Sequence, residues 1–148
     1  SATIKEALLR NEIEIKKRNA KLDLPDNWPI VDGYGPWIEE IWSNLISNAL
    51  KYGGEIPELK FGYEIKNEQE LILFLHDNGK GLTQAQIQKL FIPFSLLENS
   101  VTNSHALGLS IVKRIVSKLN GNVWAESLND IDYGTRFCFT LPISNRSI

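Results

Sequence analysis

The chain has 148 residues, enough to bury about two-thirds of its unfolded surface without staples, and 43% apolar residues with four tryptophans exclude a disordered chain. Sixteen basic against eighteen acidic residues leave a net charge of −2, so neither nucleic acid nor an anionic membrane would be held without a local patch. The single cysteine, Cys138, excludes an intrachain disulfide framework and a multi-cysteine zinc site and suits a reducing cytosol, while two histidines leave little for a histidine-based metal site. Apolar runs are only a few residues long, so no membrane span or signal peptide is read, and the expectation is a soluble, self-contained domain.

In chain order, residues 4–18 are charged with apolar positions at Ile4, Leu8, Ile13 and Ile15, which predicts a helix as the tail of a connection to something upstream. A short strand over 20–24 precedes Pro25, and 25–35 (PDNWPIVDGYG) is turn chemistry. From Pro36 to Tyr52, Ile38, Ile41, Trp42, Leu45, Ile46, Ala49 and Leu50 trace one helical face, with Gly53-Gly54 as its stop. Residues 59–66 alternate and 70–77 contain the continuous LILFL, so two strands are predicted around a KNEQ turn. Thr83 reads as the N-cap of a short helix to about Leu90. Residues 95–106 are polar and aperiodic and read as a mobile loop. Leu107 to Leu119 forms a second amphipathic helix stopped by Gly121. Strands over 122–127 and 135–141 complete the pattern, which assigns 1–142 to the domain and 143–148 to a polar tail. The fold class expected is α/β, a two-layer sandwich with helices on one face of a mixed sheet.

Three features carry chemistry. Asn44, Asn48 and Lys51 fall at i, i+4 and i+7 on the 36–52 helix, away from its apolar face. Mid-helix Asn costs roughly half a kcal/mol against Ala, so the stripe is either a solvated face or a set of carbonyl and ammonium groups for Mg²⁺ and phosphate. Asp77-Asn78-Gly79-Lys80-Gly81 follows a buried strand, and its glycines allow either a plain turn or a close backbone approach to a ligand. Leu107-Gly108-Leu109 opens a helix, where free amides can meet phosphate or simply join a loop to a helix.

Their order decides between these readings. N-x3-N-x2-K-Y, then D-N-G-K-G, then Phe91-Ile-Pro-Phe94, then Leu107-Gly108-Leu109 and Gly134-Thr135-Arg136-Phe137, resembles the boxes of the ATP-binding catalytic domain of two-component sensor histidine kinases. The resemblance runs from about residue 4 to Pro142. It implies the Bergerat fold, with ATP and Mg²⁺ as cofactors. Asp77 would accept a hydrogen bond from the adenine amine, and Gly81 would let the ring lie against the backbone. Asn48 would hold Mg²⁺ with Asn44 on the same wall. Lys51 would neutralise phosphate, and Tyr52 would border the nucleotide. Gly108 and Leu109 would offer helix-start amides. Phe91 and Phe94 would anchor 95–106 as a lid, and Gly79, Leu82, Leu107 and Thr135 complete the implied binding set.

The wider superfamily of gyrase, chaperone and mismatch-repair ATPases carries a water-activating Glu where this chain has Asn44, an amide that cannot serve as a general base. Kinase chemistry is therefore implied, with Asn44 and Lys51 as its catalytic positions: the γ-phosphoryl group would pass to a histidine on a separate dimerisation domain, and from there to a response regulator. His76 and His105 do not lie in the family's acceptor motif, so the chain alone is expected to bind ATP without autophosphorylating. The implied location is cytoplasmic, the parent protein being free to be membrane-anchored, with no contact to nucleic acid or membrane by this domain. Two features depart from the family: Ser104 and Ala106 replace glycines of the second glycine box, and 95–106 has no basic residue. A degenerate nucleotide-binding or docking module and a serine-directed kinase of the anti-sigma type are the alternatives.

Overall fold

The computed structural model describes residues 2–29, 31, 33–52, 55–79, 81–91, 103–127 and 134–143. Along them run α1 (Ala2–Arg10), α2 (Glu12–Lys17), β1 (Lys21–Asp23), α3 (Gly35–Tyr52), β2 (Glu58–Ile65), β3 (Glu70–His76), α4 (Gln84–Lys89), α5 (Asn103–Lys118), β4 (Val123–Ser127) and β5 (Thr135–Pro142). The strands form one sheet in the order β1-β2-β3-β5-β4, with β1 parallel to β2 and the other pairs antiparallel. This is the mixed two-layer α/β architecture expected from the pattern.

Alternation along the strands sends one set of side chains to the helices. Leu59, Phe61, Leu71, Leu73, Leu75, Phe137, Phe139 and Leu141 are buried there against Ile41, Trp42, Leu45 and Ile46 of α3 and Val112 and Val116 of α5. Trp42 is the hub: its ring meets Phe139 edge-on at 5.0 Å, Phe61 at 5.7 Å and Trp28 at 5.8 Å. The opposite sheet face is covered in part by its own residues. Phe74 lies so close over Gly62 that a Cβ there would meet its ring at 2.4 Å, and the Arg136 guanidinium stacks on Phe74 at 4.7 Å. Cys138, in register between Phe74 and Trp124, is buried, and its thiol is pushed up to about 12, so it is held as an unreactive SH.

Several boundaries differ from the sequence expectation. The helix predicted over 4–18 is broken at Asn11, whose Nδ2 donates to Ala7 O (2.9 Å) and Ser43 Oγ (3.3 Å); a side chain competing for the backbone splits α1 from α2. The start of α5 is at Asn103, four residues ahead of Leu107, so 103–106 are helical rather than loop. Ser104 and Ala106 stand where glycines would have weakened the helix, and neither opposes another turn. The rest of the expected loop, 95–102, lies outside the described residues. At the other end of α5 the left-handed residue is Asn120 (φ +63), and Gly121 N–H donates back to Val116 O (2.9 Å) in a Schellman closure. Gly121 has a separate reason to lack a side chain, because its Cβ would fall 1.9 Å from Thr140 O. Order also extends to Ile143, which bridges Val31 and donates to Gln69 O (2.8 Å). Other features follow the sequence: Thr83 makes a complete capping box with Gln86, and Asn67 Oδ1 organises the β2–β3 hairpin by accepting from Gln69 and Glu70 N–H.

Gly121→Ala is expected to lower stability by about 2–3 kcal/mol, because backbone rather than a pliable side chain must move. Urea unfolding should show a lower midpoint at unchanged slope. An unmoved midpoint would mean that the Thr140 carbonyl yields without cost.

Candidate functional site

The end of β3 builds the first part of the site. Asp77 is 4% exposed, and its backbone N–H donates to Thr135 O (2.9 Å), continuing the β3–β5 pairing one residue beyond the strand. Its carboxylate Oδ1 accepts from Gly79 N–H (2.9 Å) and Thr135 N–H (3.2 Å). Oδ2 makes no hydrogen bond among the described residues, so a fixed acceptor is left at the end of the sheet. Gly134 (φ +104) permits the arrangement, since a Cβ there would stand 1.8 Å from Asp77 O. Burial pushes the Asp77 carboxyl above its usual range, and the two N–H bonds and neighbouring His76 only partly offset that. Gly81 takes φ +81, the conformation that lets the chain turn back, and Leu82 N–H then donates to Ser127 Oγ (3.2 Å).

The second part lies on α3. Asn48 is only 6% exposed, which removes the solvated-face reading for this position. Its Oδ1 is buried and unpartnered among the described residues, a state that costs about 1–3 kcal/mol unless a ligand, ion or water completes it. Half-buried Asn44 is tied to its own helix, its Nδ2 donating to Glu40 O (2.8 Å). Lys51 is exposed in the last turn, and Tyr52 closes the helix.

Asn78, which the sequence reading did not single out, joins the two parts. Its Oδ1 accepts from Glu58 N–H (2.9 Å) and its Nδ2 donates to Ile56 O (3.0 Å), pinning the turn after β3 to the segment that leaves α3. An Asn in a turn signals such bonding, but its partners 20 and 22 residues away are invisible before folding. Gly134 and Ser127 were missed as site-shaping positions for the same reason. Thr135 is buried beside Asp77, whereas Leu109 is a core residue, 1% exposed. Leu107 and Gly108 lie in the second turn of α5, one turn inside the amides that the helix start leaves free. Phe91 packs against the core; Phe94 and Lys80 lie outside the described residues.

The end of β3 thus presents a deep acceptor with a glycine turn, and α3 presents an orphaned amide oxygen and a basic last turn. The family model for histidine kinase-, DNA gyrase B- and HSP90-like ATPases matches residues 33–145. The chain belongs to this family. It is 34% identical over 141 residues, 94% of the chain, to the methanogenesis regulatory histidine kinase FilI of Methanothrix harundinacea. To the sensor histidine kinase WalK of Bacillus subtilis it is 33% identical over 124 residues, 81% of the chain. The chain spans 16% and 20% of those two relatives' lengths. Among solved structures, the catalytic domain of histidine kinase ThkA superposes with a TM-score of 0.80 at 26% identity, covering 96% of this chain and 91% of that one. ThkA in complex with the response regulator TrrA matches at 0.76 and 25% identity, covering 97% of this chain and 40% of that one. The Bergerat fold of the histidine-kinase catalytic domains is therefore shared here.

The raised Asp77 carboxyl sets a pH prediction. The folded state holds this proton more tightly than the unfolded chain, so the group's contribution to stability is lost as pH rises from the ordinary 3.8 through the raised folded value. Asp77→Asn keeps an acceptor for the two N–H groups and carries no charge. Without nucleotide, its stability relative to wild type should climb across that window and then level, as read by urea unfolding at successive pH values. A gap that shrinks with pH would show that charge burial does not govern this residue.

Proposed function

We propose that the domain binds Mg-ATP and donates the γ-phosphoryl group to a histidine on a separate dimerisation domain of a sensor kinase, within two-component signalling. The carrying observation is Asp77: a buried carboxylate whose Oδ1 is saturated by Gly79 and Thr135 N–H while Oδ2 makes no hydrogen bond among the described residues. An acceptor of this kind selects adenine, whose exocyclic amine donates, over guanine, whose oxygen at the same position accepts. Gly81 and Leu82 line the turn beside it. Family membership and the ThkA likeness support the reading, and the ThkA–TrrA complex supports a response regulator as the downstream partner.

Asn48 Oδ1 fits a magnesium ion: a buried, hard amide oxygen without a partner among the described residues. Among the described residues no group of three His, Cys, Asp or Glu could hold a metal, so the ion would rest on Asn48, the nucleotide phosphates and water. Bound there, it would neutralise charge on the phosphates. Lys51 supplies a cation at the same helix end, with Tyr52 next to it. Gly108, without a side chain, would leave room for the phosphates in the second turn of α5, between Leu107 and Leu109, whose amides are engaged inside the helix. Phe94 belongs to the proposed lid anchor.

Asn44 supports transfer over hydrolysis. An amide donating to Glu40 O cannot take a proton from water, so the chain brings no base to that position. Transfer to an imidazole nitrogen releases ADP and returns the ring proton to solvent, a reaction that depends mainly on positioning and charge stabilisation. His76 lies half-buried in β3, which supports an acceptor on another domain. No helix among the described residues is long and apolar enough to cross a membrane, which is compatible with the cytoplasmic placement proposed for such a domain.

Calorimetric titration should show wild-type binding of Mg-ATP and a loss of at least about tenfold, 1.4 kcal/mol, in Asp77→Asn, whose amide can turn a donor toward the adenine amine. Equal affinity in both would overturn the adenine-site assignment, and no binding by wild type would leave a docking module. ATP hydrolysis should stay near background in wild type and rise in Asn44→Glu; appreciable wild-type turnover would mean that another group activates water.

A further inference from the structure

The segment ahead of β1 grips α3 at three levels. Arg10 Nη1 pairs with Glu40 (2.9 Å) and Glu39 (3.3 Å) near the start of α3, and Asn11 reaches Ser43 one turn on. At the far end, Arg18 Nη1 donates to Leu50 O. The first two contacts join side chains. The third takes hold of the backbone immediately before Lys51, at one of the four carbonyls that a helix end leaves without an intrahelical partner.

Arg18 is itself held at a fixed corner. It closes α2 with its N–H on Glu14 O (2.9 Å), and Asn19 follows in the left-handed conformation (φ +53). The chain then enters β1, where Lys21 N–H donates to Pro57 O (2.8 Å), between the two residues, Ile56 and Glu58, that Asn78 pins. The half-buried guanidinium is thus set between the sheet edge and the last turn of α3.

That turn has an electrostatic difficulty if phosphates approach it. A helix C-terminus carries about half a negative charge, which repels anions, and a cation on its free carbonyls offsets it. We infer that Arg18 is a positioning residue for the phosphate end of the nucleotide site, holding the last turn of α3 with Lys51 and offsetting the negative helix end there. This rests on the proposed nucleotide reading and extends the site to a residue 32 positions away from Leu50, on the α2–β1 corner. The contact of Arg18 with Leu50 O lies at the end of α3 and not at the adenine turn, so the effect expected is on phosphate affinity.

The test is calorimetric titration of the full 148-residue chain with Mg-ATP and, separately, with adenosine, for wild type, Arg18→Gln and Arg18→Lys. Arg18→Gln should weaken Mg-ATP binding about fivefold, the size of a helix-end charge term, and leave adenosine binding unchanged. Arg18→Lys, which keeps the charge and a donor, should recover most of the loss. Equal weakening of both ligands, or a Gln variant with wild-type Mg-ATP affinity, would overturn the inference. A wild type that binds Mg-ATP no more tightly than adenosine would overturn the phosphate reading itself, and this role with it.

Discussion

The edge-on packing of Trp42 against Phe139, with ring centroids 5.0 Å apart, is the contact on which the rest depends. It seats α3 across the centre of the sheet, and α3 is at once core and site. Ile41, Leu45, Ile46 and Ala49 face inward and are fully or nearly fully buried. Asn48 shares the helix with them and therefore inherits their rigidity. A buried aromatic of this size contributes a few kcal/mol through area alone. Its greater consequence is geometric, since a slip of α3 along the sheet would move Asn44, Asn48 and Lys51 together.

The site itself is built against stability. Burial at Asp77 disfavours the charged form of its carboxyl, and Asn48 keeps a buried oxygen with no partner among the described residues. Each costs free energy in the empty domain. Both costs make sense in a binding site, because a ligand that completes them recovers what the fold gives up. Cys138 shows the contrasting solution on the other sheet face. There a buried thiol stays protonated between Phe74 and Trp124, needs no ligand and offers no reactivity.

How far the site was legible from the sequence differs residue by residue. Asp77 and Gly81 stood out because a carboxylate at the end of LILFL and a closely following glycine are costly without a purpose. Asn48 stood out as an Asn in mid-helix. The carboxylate's partners did not, since Thr135 lies 58 residues away and only the β3–β5 register places it. Asn78 looked like ordinary turn chemistry until its amide was found bridging Ile56 and Glu58. For α5, periodicity marked the apolar run from Leu107 correctly but could not mark the start, because Asn103–Ala106 carries no apolar face to count and nothing that forbids a helical turn.

Sequence alone determined what is local or repetitive: the apolar face of α3, the alternation that makes β2, the capping box at Thr83, and the ordered glycine and asparagine motifs of the family. Such signals depend on neighbours within a few residues, and each is written in residue type and spacing. Tertiary structure alone decided the strand order β1-β2-β3-β5-β4, the burial of Asn48, the break at Asn11 and the grip of Arg18 on Leu50. The strand order, the burial of Asn48 and the grip of Arg18 depend on residues distant in the chain, and at Asn11 a local bond to Ala7 is joined by one to Ser43, 32 positions away. A hydrogen bond or a buried surface is set by the three-dimensional path that brings both partners together, and no spacing along the sequence carries that path.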